Sequence, residues 1–155
     1  MARPYLTPVP GRGAPTGGLP SHRHDQVALG VDARDPADAA IGFAFGTALL
    51  KDVRLHAVHA WRLPTCAAEL PFGIPEEDRG AWENHEVQLL ADTLRPWRAR
   101  YPEVRVLEDV VLFAPEHALI RRSASAALVV IGQRAGSVAR ALLRDSSCPV
   151  AVVPW

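Results

Sequence analysis

The sequence has only two cysteines, Cys66 and Cys148, in 155 residues, so a disulfide framework is excluded. Their wide separation also lacks the rhythm of zinc ligands, and both read as reduced thiols, with Cys148 in the core. Charge of one sign is missing too. The 17 basic and 17 acidic side chains give a formal net charge of zero, which removes the electrostatic reason to expect nucleic acid or an anionic membrane as a partner. No apolar run approaches the ~18 residues that a membrane span requires. The amino-terminal segment has no apolar stretch of signal-peptide type, so a cytoplasmic location is expected.

What remains is a chain with 48% hydrophobic residues, enough for one domain with a real core. Residues 1–26 stand apart. Pro4, Pro8, Pro10, Pro15 and Pro20, with Gly11, Gly13, Gly17 and Gly18, leave little to bury, and the segment reads as a disordered tail or linker. Its His22 and His24 form an H-x-H pair without a further ligand nearby, so a solvated tail is the simpler reading. The domain proper is expected over residues 27–155.

From Val27 short β runs alternate with longer amphipathic segments. QVALGVD is a strand ending at Asp32, and Asp35-Pro36-Ala37-Asp38 reads as a helix start with Asp35 as the capping carboxylate. Ile41, Phe45, Ala48 and Leu49 form one face of that helix. RLHAVHAW is the next strand. A proline-rich loop then leads to a long helix over about 78–99, with Val87, Leu90, Leu94 and Trp97 as its apolar face and Pro96 expected to kink or loosen its last turn. VRVLEDVVLF, EHALIRRSA, ALVVIG, SVARALLRDS and CPVAVVPW complete the order β-α-β-α-β-α-β-α-β. Helices between all successive strands imply right-handed crossovers and a parallel sheet covered on both faces. The expected fold is α/β: a three-layer sandwich around a five-stranded parallel sheet, in the order 3-2-1-4-5.

In that order the first and fourth strands are neighbours, and their carboxyl ends flank one crevice where ligands bind in such folds. Asp32 follows the first strand and Gly132 the fourth. Asp32 either accepts hydrogen bonds from a ligand's base or ribose, or caps a turn. Gly132, Gly136 and the start of the last helix either meet phosphate or serve the backbone alone. A hydrolase has little support, since there is no G-x-S-x-G elbow and Ser137 has no identifiable base. His56 and His59 lie three apart on a strand and face opposite sides, as do the neighbours Glu108 and Asp109, so neither pair can act jointly. Glu76, Glu77 and Asp78 read as an acidic helix start. Trp61, Trp82 and Trp97 read as packing residues with a pocket role as the alternative. No metal site and no enzyme activity are expected.

The stretches VALGVDARDPADAA, LHAVHAW, APEHALIRRSASAALVVIG and GSVARALLRDSSCPVAVVP resemble the universal stress protein family. The most specific part is Gly136-Ser137-Val138 ahead of Cys148-Pro149-Val150. The resemblance implies an adenine nucleotide alpha hydrolase-like fold and a homodimer paired through the last strand. It also implies a stress-response regulator that binds ATP or AMP. The tail is similar to the linker of tandem members. The nucleotide-binding branch carries G-x2-G-x9-G-S/T, onto which Gly132 and Gly136-Ser137 fall. Asp32 matches the branch's adenosine-contacting aspartate, Val58 an adenine contact, and Val138 the phosphate-facing helix start. The segment VVIGQRAGSV departs from the pattern: its glycines are four positions apart instead of 13, with Ala135 where the middle glycine would stand. Several backbone phosphate donors are thereby lost, each worth roughly 1.5–3 kcal/mol, so a reduced site with weak ATP or AMP binding is expected. Arg134 and Arg140 either compensate in part or are solvated surface. A nucleotide-free interaction module is the alternative.

Overall fold

The protein's structure is a computed structural model, in which residues 4–7, 25–63 and 73–154 are described. The chain order is β1 (Tyr5–Thr7), β2 (Gln26–Gly30), α1 (Asp38–Lys51), β3 (Arg54–Trp61), α2 (Glu76–Arg100), β4 (Val106–Leu112), α3 (Pro115–Ser123), β5 (Leu128–Gly132), α4 (Gly136–Asp145) and β6 (Val150–Val153). The sheet order is β1-β6-β5-β2-β3-β4, and β2 to β6 are mutually parallel. Numbered from β2, those five strands follow the expected 3-2-1-4-5 order. Strand β5 is apolar and buried throughout, and Val27–Leu29 at the centre of β2 are wholly buried, as strands covered on both faces must be. Val27, Leu29, Leu55, Ala57 and Val130 pack on the α1 and α2 side, whereas Ala28, Val58, Val129, Ile131 and Val150 pack on the α3 and α4 side.

Three features differ from the sequence reading. First, Tyr5–Thr7 pairs antiparallel with β6, Tyr5 opposite Val152 and Thr7 opposite Val150. The tail is therefore structured at this point, and β6 is not a bare sheet edge. Residues 8–24, including the His22/His24 pair, lie outside the described residues, as does Cys66. Second, Asp35 does not cap α1. The helix begins at Asp38 behind Ala37, with no side-chain cap bond, because the chain first makes a turn through Asp32–Asp35. Third, the buried face of α2 contains Glu86, Leu90 and Leu94, leaving Val87 46% exposed. Leu49 of α1 is likewise 43% exposed, its place on the inner face taken by Ala40 and Ala44. Helix α2 runs through Pro96 to Arg100, and its last turn is held by Trp97 and Tyr101, which both pack against Phe45 of α1. Cys148 is a buried free thiol, and burial pushes its pKa up.

Glu86 is buried because it has partners. His59 Nε2 lies 2.8 Å from Glu86 Oε2, and Arg34 pairs with the other oxygen. On the opposite face of β3, His56 Nε2 lies 3.0 Å from Asp109 Oδ2, which also accepts from Arg122 at 2.5 Å. The two histidines do face opposite sides of the sheet. Glu108 and Asp109 also diverge, Glu108 pairing with Arg98 of α2 and Asp109 with Arg122 of α3. His56 Nδ1 is buried with no partner among the described residues.

Burial holds both imidazoles below their ordinary value of 6.5. The unfolded chain then binds more protons than the folded one just below that pH, so stability is lost as pH falls through 6.5. Each histidine contributes at most about 1.4 kcal/mol per pH unit. Urea unfolding midpoints should therefore fall between pH 7.5 and 5.5, and His56→Gln should flatten that dependence. A midpoint that rises on acidification would contradict it.

Candidate functional site

The chain leaves β2 toward β3 on one side and returns to β5 on the other, so the connections after β2 and β5 diverge. At their carboxyl ends lies a cavity of about 490 Å³, within the roughly 300–1,000 Å³ of small-molecule sites. Asp32, Val58, Gly132 and Val138 all line it. Gly136 and Ser137 do not; they are exposed in the first turn of α4. Arg140 also lies outside the lining, its Nε donating to Gly136 O at 3.3 Å.

Asp32 both shapes a turn and stands exposed at the cavity rim. Its Oδ1 accepts the Arg34 N–H at 3.0 Å, and its carbonyl accepts the Asp35 N–H at 3.2 Å. The two readings of Asp32 are therefore compatible. The residues on either side are held from below by His59, whose Nδ1 lies 3.1 Å from Val31 O and 3.3 Å from Ala33 N. His59 thus links Glu86 of α2 to the loop that presents Asp32. The only local hint of this role is that His59, like His56, is a polar residue among the buried positions of β3. Trp61 also lines the cavity, and its Nε1 is a buried donor without a partner among the described residues.

The connection from β5 to α4 is Gln133, Arg134 and Ala135. Gln133 N–H donates to Val153 O at 2.9 Å, and Ala135 N–H donates to Gly132 O at 3.1 Å. Two of the three backbone donors in the shortened loop are thus consumed by the fold, and the turn cannot act as a cradle of several amides. Side chains occupy the space instead. Arg134 Nη1 reaches both oxygens of Asp35, at 2.7 and 2.9 Å, and joins the β5–α4 turn to the β2–α1 turn. Arg62 and Glu116 approach to 3.6 Å at the far side. Exposed pairs of this kind are worth about 0–1 kcal/mol.

An α/β domain with a crevice at its strand-order reversal is defined by these observations. Its kinship is narrower. The model of the Universal stress protein family matches residues 24–154. A universal stress protein of Mycobacterium tuberculosis is 36% identical over 143 residues, covering 86% of this chain and 47% of its own length. The chain belongs to the universal stress protein family, and it spans about half the length of the curated relatives it matches. Among solved structures, a family member from Burkholderia pseudomallei superposes with a TM-score of 0.66 at 24% identity, covering 88% of this chain and 100% of its own. The universal stress protein of Archaeoglobus fulgidus in complex with dAMP has a TM-score of 0.52 at 21% identity, covering 84% and 98%. These likenesses agree with the fold.

The glycines at the two ends of the short turn differ physically. A Cβ at Gly132 would lie 2.7 Å from the Ala37 Cβ, whereas one at Gly136 would meet nothing within 4 Å. Gly132→Ala should therefore destabilise by about 1–3 kcal/mol, because α1 has to move. Gly136→Ala should be neutral or stabilising by up to ~1 kcal/mol, since alanine favours a helix. Denaturant unfolding of both variants checks this; equal destabilisation would contradict it.

Proposed function

We propose that this domain is a non-enzymatic, cytoplasmic stress-response regulator that binds adenine nucleotides weakly in the crevice between β2 and β5. The observation that carries the reading is Asp32, exposed at the rim of a cavity whose floor is formed by Val58, Gly132 and Val138. Asp32 would receive the nucleoside, with Val58 against the base. The dAMP complex of the Archaeoglobus relative supports an adenine nucleotide as the ligand class. The closed β5–α4 turn supports a reduced affinity, because donors bonded to Val153 and Gly132 cannot also hold phosphate. It also favours the second reading, a nucleotide-free interaction module.

A reduced cradle makes affinity depend little on phosphates beyond the first. Calorimetric titration should give ATP, ADP and AMP dissociation constants within about tenfold, a spread of ~1.4 kcal/mol. Asp32→Ala should weaken all three alike. Binding of no adenine compound at millimolar concentration would favour the interaction module, whereas a co-purified nucleotide in native mass spectrometry of freshly purified protein would exclude it.

Self-association belongs to the same proposal, through the outer edge of β6. In this chain β1 lies on that edge, so a second copy has to displace it. The Pro149 and Val153 carbonyls accept from Val129 of β5 and from Gln133 just beyond it, which by alternation turns the Val152 N–H outward. Removing residues 1–24 should thus raise the dimer fraction in sedimentation at micromolar concentration. Val152→Pro in the shortened chain should reverse the gain by deleting that donor. A truncated chain that stays monomeric would place the association elsewhere.

A further inference from the structure

We propose that the Asp35–Arg134 pair is a displaceable clasp across the cavity mouth, and that the first phosphate of a nucleoside monophosphate takes the place of Asp35 on Arg134. This rests on the nucleotide reading above and adds the group that recognises the anion. Both residues line the cavity, one from the β2–α1 turn and the other from the β5–α4 turn. The Arg134 guanidinium nitrogen Nη1 is within 2.9 Å of each Asp35 carboxylate oxygen, a geometry that a phosphate's oxygens can reproduce.

Three observations point to exchange. The turn's Gln133 and Ala135 amides are engaged by Val153 and Gly132, which leaves the Arg134 side chain as a charged anion receptor at this end of the cavity. The clasp is weak, because Arg134 and Asp35 are 56% and 61% exposed and water screens the pair. A phosphate carries up to two negative charges against the single charge of Asp35 and therefore competes well for one guanidinium. The other cavity arginines are less suited: Arg34 is bound to the buried Glu86, and Arg62 stands opposite Glu116. Asp35 has no capping duty in α1, which leaves its carboxylate for this pairing.

In this arrangement Asp35 is an internal competitor. It lowers affinity for phosphorylated ligands, leaves the unphosphorylated nucleoside unaffected, and opens the two turns when phosphate arrives.

The test compares adenosine with AMP by calorimetry on the wild type, Asp35→Asn, Arg134→Gln and the double variant. Asp35→Asn should tighten AMP by about fivefold, the range that an exposed ion pair allows, while changing adenosine less than twofold. Arg134→Gln should weaken AMP to the level of adenosine, and the double variant should match Arg134→Gln. The pair is exposed, so all variants should keep the wild-type melting temperature within a few degrees. An unchanged AMP-to-adenosine ratio in Arg134→Gln, or weaker AMP binding in Asp35→Asn, would overturn the clasp and leave the nucleotide reading standing. A wild type that binds neither ligand would overturn both.

Discussion

The closeness with which the start of α1 passes over the end of β5 sets the shape of the mouth of this domain. A Cβ on residue 132 would come within 2.7 Å of the Ala37 methyl, closer than real Cβ contacts, so glycine permits the approach. That contact brings the turn after β2 against the turn after β5 and leaves the cavity between them. It also brings Asp35 within reach of Arg134. One consequence concerns how motifs are read. Gly132 is required by packing whatever the cavity holds, so its match to a phosphate-binding pattern says little about phosphate.

A second constraint acts from the other side of the sheet's centre. Burying a carboxylate costs several kcal/mol unless it is paired and hydrogen-bonded. Glu86 meets that condition with His59 on β3 and Arg34 in the turn after β2. The cluster ties α2, β3 and the Asp32 turn together, so Asp32 is held by the backbone of its neighbours as well as by its own bond to Arg34 N–H. The pairing also explains why the face of α2 is rotated. Bringing Glu86 inward turns Val87 out to solvent.

The sheet was legible in the sequence because it rests on patterns that physics makes local. LVVI reads as a strand buried on both faces, and the spacing of His56 and His59 placed them on opposite sides. The site was legible in part. Asp32, Val58, Gly132 and Val138 share one cavity because strand order alone brings their strand ends together. Gly136 and Ser137 fall outside it: with only three residues in the turn, α4 begins before the chain has reached back over the cavity. The Glu86–His59–Arg34 cluster was not legible. It depends on the rotation of α2 about its own axis, which hydrophobic spacing set a quarter-turn away by favouring Val87. The pairing of Tyr5–Thr7 with β6 was hidden by its proline-rich surroundings, since three residues carry no period.

The proposed clasp would exchange one kind of anion recognition for another at the shortened turn, and the two differ in more than strength. Backbone amides are fixed by the fold and carry no net charge, so they receive a phosphate without reorganising and respond weakly to salt. A guanidinium on a flexible side chain loses up to about 2 kcal/mol of rotamer entropy when it is held in place, and an exposed charge is screened over roughly 8 Å at physiological ionic strength. Asp35 offsets part of the first penalty, because it already holds Arg134 at the mouth before any ligand arrives. The same carboxylate must leave when phosphate binds. A site of this design is preorganised and self-blocked by one residue, and its affinity is set by the difference between two contacts to the same guanidinium. In the proposed clasp, a turn nine residues shorter than the family pattern moves anion recognition from the backbone, where it is rigid, to an ion pair that salt and competing anions can shift.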